Sequence, residues 1–410
     1  SSGFRQKYGP VYHISPLDPK GRTHCFNPFD FLSENRSLRI SQVQTISNIL
    51  LPTPDNVDPM WANEGRDILE GVILYLFDTQ GHVTLGEVAR FFKSTDNFSE
   101  MLHQAIQSEV DSYVKEAFYS FMQKADKEQS GVASTVKSAL KIFLNPQLEA
   151  ATSKSDFDPS DLRKKRMTVY LTVSPEHIKL LKPYLGFFTQ TLFHALLAHL
   201  PDKKTEPYSV LAILDEFPAL GNLAAVKEGL AYFAGYNVVP MIIAQDNSQL
   251  YDVYGEHGGT SILSSMLRIY YACNNEKTAQ SVSTQCGSKT TKSVSTSHKS
   301  MHLGMADVNK SYTKLPLITA DEVMQLPHDK QIILIEKRFP ILCKKLNYLT
   351  DKNFKTRRLP PALLPEPIAV VPPDSSLYKF SNNKQEQFVY DIEMVVDQYK
   401  QSKPDGVETV

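Results

Sequence analysis

Cysteine is scarce in this sequence and poorly spaced for chemistry. Four occur in 410 residues, Cys25, Cys273, Cys286 and Cys343, and no two form a C-x-x-C pair. Neither a zinc site nor a redox motif is indicated, and a reduced cytoplasmic setting fits such usage. The histidines are scattered singly without an H-x-x-x-H pair, so none is assigned a metal. Charge of one sign is also missing. Lys and Arg number 44 against 45 Asp and Glu, a net charge of -1, which excludes a global pull towards nucleic acid or anionic lipid and leaves only local patches. The clearest patches are Arg163-Lys-Lys-Arg166 and Arg357-Arg358, although charge runs more often line a solvated edge. There is no apolar run of ~18 residues, and Ser1-Ser-Gly-Phe-Arg5 does not read as a signal peptide, so no spanning or targeting segment is expected within the chain.

What remains is an ordinary globular composition, 41% hydrophobic and 22% charged, long enough for two domains or one with an insertion. Pro10 to Pro16 reads as a short strand running into a proline-rich loop that ends at Asn27-Pro28. It has no helical partner before it, which hints at a chain cut inside a domain. From about Ser37 to Ala151 apolar residues recur at three and four positions, as in Ile68, Leu69, Val72, Ile73 and Leu76, and predict an all-helical block. Gly81 suits a helix end, Thr84-x-x-Glu87 has the capping-box form, and Pro146 is expected to stop a later helix.

After Arg166 the pattern changes to β-branched and apolar runs separated by helices, the signature of a parallel sheet in an α/β domain. The expected strands are 167–173, 209–214, 238–244, 267–272 and 331–336, with an amphipathic helix over 178–200. Beyond Leu359 the run Pro-Pro-Ala-Leu-Leu-Pro-Glu-Pro367 predicts an extended linker or a strap across a surface, and 385–399 has helical spacing. The domain reading is therefore 1–37 as the start of an α/β domain, 38–160 as an all-α domain, 161–359 as the rest of the α/β domain, and 360–410 as a C-terminal extension.

The sharpest chemical signal is Val210-Leu-Ala-Ile-Leu-Asp215-Glu216. A hydrophobic strand ending in two acids is the arrangement of a Walker B motif, where Asp215 would hold Mg²⁺ through its water shell and Glu216 would polarise the attacking water. Solvated acids in a turn, or a helix N-cap, would give the same letters. The next expected strand ends in Gln245-Asp246, and a polar amide there can sense the γ-phosphate and the attacking water, while a turn cap is the alternative. Arg268 is a candidate arginine finger, with a plain salt bridge as the competing role. The lone Trp61 reads as packing in the core or at a hinge between the domains rather than as a ligand platform.

Taken together, Asp215-Glu216-Phe-Pro-Ala-Leu-Gly221-Asn222-Leu, Ala231-Tyr-Phe-Ala-Gly235-Tyr236 and Ile243-Ala-Gln245-Asp-x-x-Gln249-Leu250-x-x-x-Tyr254-Gly255 resemble the TraG-like coupling proteins of type IV secretion and conjugation. Phe26-Asn27-Pro28, Trp61 with Glu64, Leu317-Ile-Thr-Ala-Asp321-Glu322-Val-Met-x-Leu326-Pro327 and Ile332 to Ile341 continue the pattern in the same order, so the resemblance runs to about Arg358. It implies a RecA-like P-loop NTPase domain with an inserted all-α domain. It also implies ATP and Mg²⁺ as cofactors, and a hexameric ring at the cytoplasmic face of the bacterial inner membrane. Such a ring delivers relaxase–DNA or effector-protein substrates, brought by adaptors, to the channel.

One family element is missing. No G-x-x-x-x-G-K-[ST] loop occurs, and the nearest decoy, Gly287-Ser-Lys289-Thr, lacks the first glycine. Without that cradle of amides and lysine, Mg·ATP has no seat, and the chain alone is expected not to hydrolyse ATP. The resemblance places the loop upstream of Ser1. Retention of Asp215, Glu216 and Gln245 favours that over a degenerate relative. A docking platform for substrates and a chromosome-segregation-type DNA pump are the alternative functions.

Overall fold

The computed structural model describes residues 2–53, 59–93, 98–108, 110–297 and 307–370. In chain order its first elements are α1 (Ser2–Arg5), β1 (Val11–Ile14), α2 (Arg36–Leu50), α3 (Met60–Gln80), α4 (Leu85–Lys93), α5 (Phe98–Gln107), α6 (Ser112–Met122), α7 (Asp126–Leu140) and α8 (Pro146–Ala151). There follow α9 (Asp161–Lys164), β2 (Thr168–Leu171), α10 (Ile178–Leu197), β3 (Val210–Leu214), α11 (Ala224–Gly229), β4 (Val238–Ile242), α12 (Asn247–Ser264), β5 (Arg268–Tyr270) and α13 (Glu276–Cys286). The last are β6 (Ser288–Ser297), β7 (Asp307–Pro316), α14 (Ala320–Met324), β8 (Lys330–Leu334), β9 (Ile341–Lys344) and α15 (Lys352–Lys355). These form two compact units. One comprises 1–11, 158–168 and 178–363, and the other comprises 12–157, 169–177 and the chain from 364.

The second unit is helical. Its central helix α3 contacts α2, α6 and α7, and the three-and-four spacing of Ile68, Leu69, Val72 and Ile73 leaves all four side chains buried. Each contributes roughly 1.5–3 kcal/mol by leaving water. Its ends are chemically specified. Asn35 accepts from the Ser37 and Leu38 amides to start α2, and Gly81 closes α3 in the left-handed region at φ 75°. Thr84 and Glu87 form the expected reciprocal box, with the Thr84 amide donating to Glu87 Oε2 at 2.7 Å. Pro146 corrects its expectation: capped by Asn145, it stands at the first turn of α8 and begins a helix, since its missing N–H is no loss there. Trp61 packs on α7 within this unit, its ring occupying the space a side chain at Gly131 would need.

In the other unit β3 and β4 pair in parallel, Val210 opposite Val238 through Leu214 opposite Ile242. The strand expected over 267–272 is β5, and that over 331–336 is β8. These two pair antiparallel, with β9 antiparallel on the far side of β8. The purely parallel expectation therefore holds for β3 and β4 but not for this second sheet. A further long antiparallel ribbon, β6 with β7, is not legible in a stretch of Ser, Thr and Lys. The Gly287-Ser-Lys289 decoy lies at its root, at the end of α13, and no strand-to-helix phosphate loop is formed there.

From Leu359 to residue 370 the chain has no helix or strand. The Ile368 amide donates to Gly21 O at 2.8 Å, as a strap would. The helix expected over 385–399 lies outside the described residues. Among the described residues no helix is long and apolar enough to cross a membrane.

Candidate functional site

The alternation of β3 and β4 decides where their tips point. Val210 and Val238 are buried in a core with Phe193, Phe217 and Phe233, whereas Leu211, Ile213, Val239 and Met241 stand about half-exposed on the opposite face. Side chains two apart along a strand share a face, so Asp215 continues the row of Leu211 and Ile213. Gln245 continues that of Val239, Met241 and Ile243. The parallel register puts both tips at the same end of the sheet.

The backbone keeps the two tips together beyond the strands. The Ile243 amide donates to Leu214 O at 3.0 Å, and the Phe217 amide donates to Ile243 O at 3.0 Å. Between them Glu216 adopts the left-handed conformation, φ 48°, which costs a non-glycine residue energy and turns the chain sharply into the 217–220 turn. Its amide donates to Asp215 Oδ1 at 3.1 Å. Its carboxylate Oε2 accepts from Gln245 Nε2 at 3.2 Å. The two sequence-flagged tips thus meet through a direct side-chain hydrogen bond.

The supporting residues are less visible in sequence. Tyr254, on α12, donates from its hydroxyl to Gly221 O at 3.0 Å and accepts from the Leu223 amide at 3.1 Å, and its ring stacks on Phe217 at 5.4 Å. Burial pushes its phenol up to about 12, so it stays a neutral brace on the loop that follows the acids. Gly221 has φ 84° and lies against the Lys182 side chain, so only glycine fits that bend.

Asp246, next to Gln245, is structural. It caps α12 by accepting from the Ser248 amide at 2.7 Å and also accepts from Thr278 Oγ1 at 2.9 Å, tying the tip of β4 to α13. Burial, and secondly this carboxylate, raise the Cys273 thiol above its ordinary range.

Other candidates fall elsewhere. Arg268 on β5 donates to Gln285 Oε1 rather than forming the expected salt bridge. Of the basic run, Arg163 is fully buried, 3.3 Å from Glu206 Oε2 and bonded to His199 O at 3.1 Å, so it is a core ion pair and not a surface patch. Among the described residues no three His, Cys, Asp or Glu side chains converge on a dedicated metal cage. Mg²⁺ needs none, because it keeps several waters and combines one or two carboxylates with phosphate oxygens. Asp215, exposed at a strand tip, fits that requirement.

A family model described as Type IV secretory system Conjugative DNA transfer matches residues 2–369. The chain is similar to the protein VirD4 of Agrobacterium fabrum, 29% identical over 371 residues covering 88% of this chain and 54% of that protein. It spans about half the length of the curated VirD4 relatives it matches. Among solved structures, the unbound conjugative coupling protein TrwBdeltaN70 superposes with a TM-score of 0.62 at 15% identity, covering 83% of this chain and 79% of that one. The plasmid coupling protein TrwB in complex with ADP and Mg²⁺ superposes with a TM-score of 0.59 at 16% identity, covering 81% and 73%. The fold is thus that of these RecA-like coupling proteins with their helical domain.

Proposed function

The chain belongs to the type IV secretory system conjugative DNA transfer family, and from that premise we propose that it supplies the carboxylate half of an ATP-hydrolysing coupling motor. The observation that carries this reading is the Gln245–Glu216 hydrogen bond of 3.2 Å at the shared end of β3 and β4, beside Asp215. Asp215 would hold Mg²⁺, which when bound supplies charge neutralisation at the phosphates. Glu216, held in a fixed bent conformation, accepts a proton from and orients the attacking water. Gln245 bridges that carboxylate to the strand tip, so a change at the phosphate end moves the loop carrying Asp246 and its link to α13.

The ADP and Mg²⁺ bound to TrwB, whose fold this chain shares, support nucleotide as the ligand. A phosphate-binding lysine loop is the element this reading requires in addition to Asp215, Glu216 and Gln245. The uncovered apolar face of β3 and β4 supports a further layer on this sheet, since parallel strands are normally covered on both sides. The wider role is recruitment of DNA–protein or protein substrates by a hexamer at the inner membrane. Its test is the ATPase rate of the full-length protein carrying Glu216→Gln, which should fall about a hundredfold or more while nucleotide binding persists. A wild-type rate overturns the assignment.

A further inference from the structure

Four segments of the chain converge in one cleft of about 400 Å³ at the other end of β3. The N-terminal segment contributes Arg5 and Tyr8, the end of the basic run contributes Arg166, the approach to β3 contributes Tyr208, and the C-terminal side contributes Arg357. The two basic runs, widely separated in sequence, are thus joined, with Arg5 added. The wall is firmly built. Gly9 lies so close to Arg166 that a Cβ there would stand 1.7 Å from its carbonyl oxygen, and Ser2 Oγ accepts from the Ala362 amide at 3.1 Å.

Cations and rings alternate along this cleft. The Arg166 guanidinium sits 5.9 Å from the Tyr8 ring centre and 5.6 Å from that of Tyr208, and Arg357 lies 5.6 Å from the Phe4 ring. No carboxylate lines it, and among the described residues Arg5, Arg166 and Arg357 form no ion pair. Tyr8 is half-exposed at the mouth. Ser209 of the cleft and Asp215 are separated by the length of β3, roughly 20 Å at ~3.3 Å per residue. Nucleotides in open α/β sheets bind at the carboxyl ends of the strands, whereas this cleft is at the amino end of β3, apart from Asp215 and Glu216.

We propose that this cleft binds the phosphodiester backbone of single-stranded nucleic acid, with Arg5, Arg166 and Arg357 on phosphates and Tyr8 and Tyr208 as stacking surfaces for bases. A positive trough interleaved with aromatic rings is the physical requirement for holding an unpaired strand without reading its sequence. A duplex hides its base faces and would use only the cations. The proposal rests on the family reading for the presence of a nucleic-acid substrate but not on the site at Asp215 and Glu216.

The test is binding of a fluorescent 20-nucleotide oligo-dT across a salt series, without nucleotide, to the wild-type chain and to Arg166→Ala/Arg357→Ala. The double variant should bind at least about tenfold more weakly, and its salt slope should shrink by about 1.4, about 0.7 for each phosphate no longer neutralised. Tyr8→Ala should weaken binding about fivefold with the slope unchanged, because stacking releases no counterions. Arg357→Ala alone, at an exposed position, serves as a check that the weakening is not misfolding, and should give about half the slope change.

Unchanged affinity and slope in the double variant overturn the proposal. So does equal weakening for a blunt duplex with no effect of Tyr8→Ala, which would leave a duplex phosphate platform. Loss of binding to phosphatidylserine vesicles with oligo-dT binding intact would assign the cleft to lipid and overturn it as well. Failure here leaves the Glu216→Gln result untouched, and the converse also holds.

Discussion

The helical unit and the strand-bearing unit dispose of their apolar side chains differently. Along α3 the apolar stripe is consumed within the unit, and Ile68, Leu69, Val72, Ile73 and Leu74 are all at or near zero exposure. Along β3 and β4 only alternate residues are buried, while Leu211, Ile213, Val239 and Met241 remain about half-exposed on the face that ends in Asp215 and Gln245. A helix bundle closes on itself because every helix finds neighbours in the same body. A two-stranded parallel sheet has two faces, and α10 and α12 with their loops supply apolar partners for one of them.

The contrast can be broken most sharply by truncation. Leu69→Ala removes a fully buried side chain from the helical core and should destabilise it by about 2–5 kcal/mol in urea unfolding. Ile213→Thr keeps the β-branch on the bare face and should change stability by no more than about 0.5 kcal/mol while lowering binding of a hydrophobic dye. Equal losses at the two positions would mean that the sheet face is covered after all.

A middle-sized effect tests how firmly the site unit is tied together. Asp246→Ala deletes both the α12 cap and the acceptor for Thr278, and should cost about 1–2 kcal/mol and speed amide exchange at the start of α12. A loss confined to the helix end, with α13 unaffected, would show that the cap and not the cross-link matters.

The smallest effect is a pH dependence in the helical unit. Burial raises the Glu70 carboxyl above its ordinary value, even though Ser47 Oγ and Tyr113 Oη donate to it at 2.5 and 2.7 Å. The folded state therefore holds this proton more tightly than the unfolded chain does. The stability Glu70 contributes is present below the ordinary carboxylate range and declines as pH rises through it to the folded value. Glu70→Gln should flatten that slope in melting curves taken from acid to neutral pH, and an unchanged slope would move the titration to another group.

Much of the fold is readable from local pattern. The caps at Thr84 and Gly81, the helical block, strands β2 to β5 and β8, and the acids following Leu214 all follow from spacing and residue type. The long ribbon of β6 and β7 does not, because polar residues on both faces leave no alternation to detect. Pro146 starts a helix where a stop is expected, because proline ends one element and begins the next with equal ease. The brace from Tyr254 lies more than thirty residues from the loop it holds, and its only signal is the family spacing.

Two classes of information are separable here. Periodicity and neighbouring residue types determined the helical block and strands β2 to β5 and β8, and placed Asp215, Glu216 and Gln245 at strand tips, since those properties depend on a few consecutive residues. Only the tertiary structure decided that Gln245 touches Glu216, that Arg163 is a buried ion pair, and that Arg5, Arg166 and Arg357 share one cleft. Such meetings depend on the register and packing of segments that lie far apart along the chain, and no short stretch of sequence encodes them.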